Sequence, residues 1–190
     1  MKLSNISGYA VAAGLAFSLL TVGCSDRGRT AADRSSGSPG YADRNTTASA
    51  DDKDFAVKAA QGGMAEVQMG NLAQQNASSD PVKALGRRLV EDHTKLNTDL
   101  REIAGREGIV LPTEVSSKLR GEIDRLAKLS GAEFDREFLN EAVSDHRADL
   151  DEFQKEAASG SNKAIRDFAA GSQPTLQSHL NMALAAQSGR

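Results

Sequence analysis

Residues 82–100, VKALGRRLVEDHTKLNTDL, carry the pattern that most restricts the fold. Leu85, Leu89, Leu96 and Leu100 recur at the spacing of one helical face, and His93 fills the vacant place in that series. A helix with one apolar stripe gains most of its stability by packing that stripe against other helices. The imidazole of His93 goes into the same interface, where a polar group needs a partner.

Three further segments repeat the periodicity. The first helix is expected from Asp51 or Asp52, whose carboxylates suit a first turn, to about Gln75. Its inward stripe reads Phe55, Ala59, Gly62, Glu66, Met69 and Ala73. Gly62, Gly63 and Gly70 cost roughly 1 kcal/mol each relative to alanine, which a closely approaching backbone or bound group would justify. Ser79-Asp80-Pro81 starts the second helix, expected to run to about Arg106 and to fray at Gly105 and Gly108. The connector over residues 109–131 holds a shorter amphipathic helix, opened by Pro112 and Thr113 and carrying Val115, Leu119, Ile123, Leu126 and Leu129. That is long enough to return the chain along a bundle.

Ser130-Gly131-Ala132-Glu133 reads as a capping box for the third long helix. Phe134, Phe138, Leu139, Ala142, Val143, His146, Leu150 and Phe153 form its inner face, and Glu137, Glu141, Asp145, Asp149 and Glu152 its wet flank. Ser161 is expected to cap the fourth, which carries Ile165, Phe168 and Ala169, breaks or kinks at Gly171 and Pro174, and resumes through Leu176, His179, Leu180, Ala183 and Leu184. No segment alternates as a strand. The expected fold is all-α, a four-helix bundle over residues 51–190 with a short extra helix in the crossover between the second and third long helices.

The N-terminal part serves a different purpose. Lys2 precedes an apolar run over residues 9–23, YAVAAGLAFSLLTVG, too short for a stable spanning helix but suited to a signal peptide ending at residue 23. Cys24 is the single cysteine, so no internal disulfide and no thiolate metal site is available. Leu20-Thr21-Val22-Gly23-Cys24 resembles a bacterial lipobox, in which the cysteine is lipidated and becomes the mature N-terminus; Thr21 stands where leucine is commoner. The resemblance implies a membrane anchor without a spanning segment. Ser25 after the cysteine points, by analogy with enterobacterial sorting, to the outer membrane facing the periplasm. The other reading is an incidental cysteine behind an ordinary signal peptide. Residues 24–50, rich in Ser, Gly, Thr, Asp and Arg, are expected to form a disordered tether. A net charge of only -3, spread through 26% charged residues, excludes a nucleic-acid surface.

Each long helix contributes one inward polar residue: Glu66, His93, His146 and His179. All lie well inside their helices, so in a bundle they fall at similar heights. Imidazoles and a carboxylate are good ligands for a single zinc, iron or copper ion, and bundle cores are a common place for such sites. The other reading is a buried hydrogen-bond network that fixes helix register. A V-x-D-H string occurs twice, ending at His93 and at His146. Asp92 and Asp145 lie about 100° around the helix from their histidines, which suits supporting or surface groups better than ligands. Met69 and Met182 lie one turn from Glu66 and His179, a spacing that suits copper(I) or plain core packing. The chain has no C-x-x-C-H haem motif and no serine in a nucleophile elbow, so no catalytic residue is assigned.

Asp92-His93, Phe134-Asp135, Asp145-His146 and Pro174-Thr175-Leu176-Gln177-Ser178-His179 together resemble the bacterial exported family called domain of unknown function 4142. The resemblance covers nearly the whole folded region. It implies a ferritin-like four-helix fold and an envelope location, and it supplies no reaction. Di-iron ferritins use Glu-x-x-His pairs, whereas Val90, Val143 and Leu176 stand three residues before the histidines here. A single ion is therefore expected rather than a carboxylate-bridged pair. Two classes remain: a metal-binding envelope protein in metal handling or stress response, and a non-catalytic lipoprotein whose acidic helical faces meet a protein partner of unknown identity.

Overall fold

Ser49 starts the bundle: its hydroxyl accepts the Asp52 backbone N–H at 3.1 Å while the Asp52 carboxylate accepts the Ser49 N–H at 2.6 Å. This reciprocal capping box was not anticipated. The computed structural model describes residues 47–189, so Cys24, the 1–23 signal segment and most of the 24–50 linker lie outside the described residues. From the Ser49 cap, α1 spans Ala50–Asn76, followed by α2 (Asp80–Glu107), α3 (Ser117–Leu126), α4 (Gly131–Ser159) and α5 (Lys163–Ser188). Among the described residues there is no strand, and no helix is long and apolar enough to cross a membrane.

The architecture is a ferritin-like four-helix bundle with α3 in the crossover. Helix α1 packs beside α2 and α4, and α5 beside α2 and α4. Polar staples at the two ends fix this order. At one end the buried Asp135 carboxylate accepts from Ser78 N at 3.1 Å, Ser78 Oγ at 2.6 Å and Ser79 N at 3.0 Å, tying the α1–α2 turn to the first turn of α4. At the other, Asp52 accepts from Ser161 N at 2.8 Å, and Asn162 Nδ2 donates to Glu107 at 2.5 Å. Backbone donors that helix starts leave unpaired are thus used to join distant segments. Because α4 begins beside the α1–α2 turn and ends beside the start of α1, each adjacent pair of long helices is antiparallel.

Several local expectations are corrected. Gly108 ends α2 in the left-handed region at φ 66°, a C-terminal cap rather than a frayed end, and Gly105 is helical. Helix α3 starts at Ser117, not at Pro112; Ser116 caps it by accepting from Leu119 N at 3.3 Å. Ser130 precedes α4 but makes no side-chain cap bond, because the chain enters the helix through Gly131 at φ 63° rather than through capping-box geometry. Asn162, not Ser161, caps α5, accepting from Ala164 N at 2.9 Å and Ile165 N at 3.1 Å. Helix α5 also runs unbroken through Pro174. Pro174 and Ala170, whose carbonyl loses its donor, are both on the exposed face, while Ala169 and Leu176 on either side are buried in the bundle. The freed carbonyl is open to solvent, and the buried flanks keep the helix continuous.

The close approach foreseen for the α1 glycines occurs at Gly70. A Cβ there would lie 2.6 Å from the Gly86 carbonyl oxygen, and one on Gly86 would lie 2.7 Å from that of Gly70, so α1 and α2 touch through their backbones. Gly62, by contrast, faces open space.

Buried apolar side chains form two layers. One holds Met69, Leu85, Leu89, Phe138, Val143 and Leu180; the other holds Phe55, Leu100, Phe153, Ile165 and Leu176. Met182 packs against the first, so both methionines belong to the core. Along each helix, the inward polar residue falls between its contributions to the two layers.

Candidate metal centre

Each histidine is carried inward by its place in an apolar stripe. His93 sits between Leu89 and Leu100, His146 between Val143 and Phe153, and His179 between Leu176 and Leu180. His146 and His179 are fully buried and His93 is 5% exposed. One ring nitrogen from each lies within 4.8 Å of the others, and among the described residues this is the one such group.

The hydrogen bonds fix which nitrogens carry protons. His146 Nδ1 lies 2.8 Å from the Ala142 carbonyl oxygen, which only accepts, so this nitrogen donates. A neutral His146 therefore presents a bare Nε2. His179 Nε2 lies 2.8 Å from Asp92 Oδ2, and Arg88 Nε lies 2.8 Å from the same carboxylate oxygen. Asp92 is thereby held as an acceptor, so His179 Nε2 donates and a neutral His179 presents a bare Nδ1. These two bare nitrogens face each other at 3.1 Å. His93 Nε2 is buried and has no hydrogen-bond partner among the described residues.

Burial pushes all three histidines towards the neutral form. For His93, burial and then the neighbouring His146 and His179 hold the pKa well below 6.5. Burial also lowers His146, against its bond to Ala142, and His179, against its bond to Asp92.

Glu66 is 3% exposed and mid-bundle, but it stands outside this group. Its Oε1 lies 3.8 Å from His146 Nδ1, the nitrogen already committed to Ala142, on the side of the ring away from His179. Neither Glu66 oxygen has a hydrogen-bond partner among the described residues. Burial, then the charges of Asp145 and Glu141, raise its pKa from 4.5 to about 8. Asp145 and Asp149, read from the sequence as a wet flank, are only partly exposed and line one cavity with Glu66. Burial and then Glu141 raise Asp145 to about 6; burial and then Glu66 raise Asp149. A signal for Asp149 was present, since it lies one turn from His146 and so shares its side of α4.

Two imidazole nitrogens on one tetrahedral zinc, at about 2.0–2.1 Å each, stand roughly 3.3–3.4 Å apart. The 3.1 Å between His146 and His179 is close to that edge. The His93 nitrogen lies within 4.8 Å of both. Asp92 and the Ala142 carbonyl occupy the positions of the outer partners that orient metal-bound histidines and set their tautomers. The donor set fits a single borderline ion with three nitrogen ligands.

A family model described as Domain of unknown function (DUF4142) matches residues 38–186 of the chain. Among solved structures, the crystal structure of a DUF305 fragment from Deinococcus radiodurans is similar, with a TM-score of 0.66 over 75% of this chain and 99% of that one. At 12% identity that likeness concerns the fold alone. No curated protein matches the chain.

Proposed function

The chain belongs to the DUF4142 family, and on that premise we propose that it is an exported envelope lipoprotein whose bundle binds a single transition-metal ion through His93, His146 and His179. The observation that carries this reading is the 3.1 Å approach of His146 Nε2 to His179 Nδ1, both without a proton in the neutral tautomers that Ala142 and Asp92 select, beside a third imidazole whose Nε2 has no hydrogen-bond partner among the described residues. Bare lone pairs at that distance repel, and a buried polar atom without a partner costs about 1–3 kcal/mol. A cation between them removes both penalties. Neutral imidazoles suit zinc, copper or iron in preference to magnesium or calcium. The role would be metal handling or stress response rather than catalysis.

The competing reading puts a proton where the ion would sit, making His179 an imidazolium held by Asp92 within a register-fixing network. Burial opposes that charge. Metal analysis of tag-free protein, with melting curves after adding zinc, copper or iron, separates the two. One equivalent of metal and a raised Tm are expected. Substoichiometric metal with an unmoved Tm would leave only the network. The location rests on the lipobox resemblance at Cys24. Cys24→Ser is expected to release the protein from membranes, and unchanged fractionation would count against an anchor.

A further inference from the structure

An ion bound for the histidines has to pass a wall of buried side chains. A cavity of about 630 Å³ opens beside Asp92, Leu96 and Phe168 with Lys95 and Arg106 in its lining; on the other side, helices α1 and α4 and the start of α3 leave a cavity of about 370 Å³ whose lining includes Gly62, Glu66, Ser116, Asp145 and Asp149. A smaller void of about 20 Å³ lies deeper, against Gly62, Gly63, His93 and Asp149. Gly62 and Asp149 border both spaces. The wall at Gly62 is open, since a Cβ there would meet nothing within 4 Å. Glu66 lines the outer cavity, is 3% exposed, and has no hydrogen-bond partner for either oxygen among the described residues. The lysines at the rim face other acids: Lys58 pairs with Glu152 at 3.2 Å and Lys118 with Glu122 at 3.5 Å.

We propose that this cavity is the cation entry to the histidine cluster, with Asp145 drawing in a hydrated divalent transition-metal ion, Glu66 offering it two oxygens that have no hydrogen-bond partner among the described residues, and Asp149 passing it to the void beside His93. The inference rests on the histidine reading of the site. Carboxylates in a low-dielectric cavity concentrate cations and speed their capture, by factors of about 10 to 1,000 in focused clefts. The three acids are not gathered within ligand distance of one another as the histidines are. They act in succession along a path, each giving up its hold to the next. A group on the path but absent from the final ligand set lowers the barrier in both directions. It changes loading and release together and leaves Kd alone.

The test is stopped-flow loading of the full chain with zinc, release into excess chelator, and an equilibrium Kd. Asp149→Asn and Glu66→Leu should slow both loading and release by about tenfold or more, with Kd within about threefold. Gly62→Leu, which fills the shared wall from a position with free space, should do the same and covers the case of an acid variant that does not fold. Asp151→Asn removes the same charge from the exposed side of α4 and should leave the rates unchanged. Rates unaltered in the three path variants would overturn the proposal, as would equal slowing by Asp151→Asn. A weaker Kd at unchanged loading rate would make Asp149 a ligand and overturn it too. Failure of the parent protein to take up zinc would instead remove the histidine site itself, and the path with it.

Discussion

Removing Asp92 probes the tautomer on which the metal reading depends. Its carboxylate accepts from His179 Nε2 at 2.8 Å and is held in place by Arg88 Nε at 2.8 Å. In Asp92→Ala the imidazole loses the acceptor that keeps its proton on Nε2, and Nδ1 is no longer committed to the cluster. Loss of such an outer partner typically weakens metal binding by about 10–100-fold, or roughly 1.4–2.7 kcal/mol. The Asp92 side chain is 15% exposed, so water replaces part of the lost interaction and the expected loss lies nearer tenfold. Asp92→Asn keeps a neutral acceptor and should fall between alanine and the parent. The assay is competitive zinc titration against a chelator at pH 7, paired with urea unfolding of the metal-free proteins. A drop in metal-free stability with zinc affinity intact would refute the tautomer argument and reduce Asp92 to a structural contact.

Four further outcomes follow from the fold. Glu156, raised from 4.5 to about 7 by burial and by its hydrogen bond to Asp52, keeps its proton in the native state where the unfolded chain has lost it; its contribution is full below pH 4.5 and is lost as pH rises towards 7. Glu156→Gln should therefore gain on the parent between pH 4.5 and 7.5 in urea unfolding, and a pH-independent difference would count against the pairing. Burial opposes ionisation of Asp52, but its bonds from Ser49 and Asn162 hold it at about 2 against the usual 3.8, so its contribution fades only as pH falls from 3.8 towards 2. Gly70→Ala drives a methyl to 2.6 Å from the Gly86 carbonyl oxygen and should cost about 1–3 kcal/mol, whereas Gly105→Ala meets nothing and should gain about 0.5–1 kcal/mol; stabilisation by both would show that the helices are not in backbone contact. Asp135→Ala takes the shared acceptor from Ser78 N, Ser78 Oγ and Ser79 N at a part-buried junction and should lower stability by about 1–3 kcal/mol in thermal or urea unfolding.

The histidine cluster was legible because helical periodicity reports angle about an axis, and His93, His146 and His179 share the inward angle with their leucine and phenylalanine neighbours. Angle alone does not say on which side of a ring a neighbour arrives. Glu66 is as inward as the histidines, yet it meets His146 at the nitrogen turned away from them. Asp145 and Asp149 were hidden for a related reason: they lie at the edge of the α4 stripe, beside the opening bounded by α1 and the start of α3, a placement set by tertiary packing. The helix does not restart at Pro174, because the buried Ala169 and Leu176 on either side hold both halves in the bundle. These misses bear on charge balance. Three neutral imidazoles contribute no negative charge, so a divalent ion among them would sit between two apolar layers with Asp92 as the acid bonded to the cluster. The other acids stand on the far side of the His146 ring, where Glu66 meets Nδ1 and shares a cavity with Asp145 and Asp149. Asp145 and Asp149, which periodicity left on the wet flank, thus line the way in with Glu66 and not the site itself, so their removal is expected to change the rates of loading and release and not Kd.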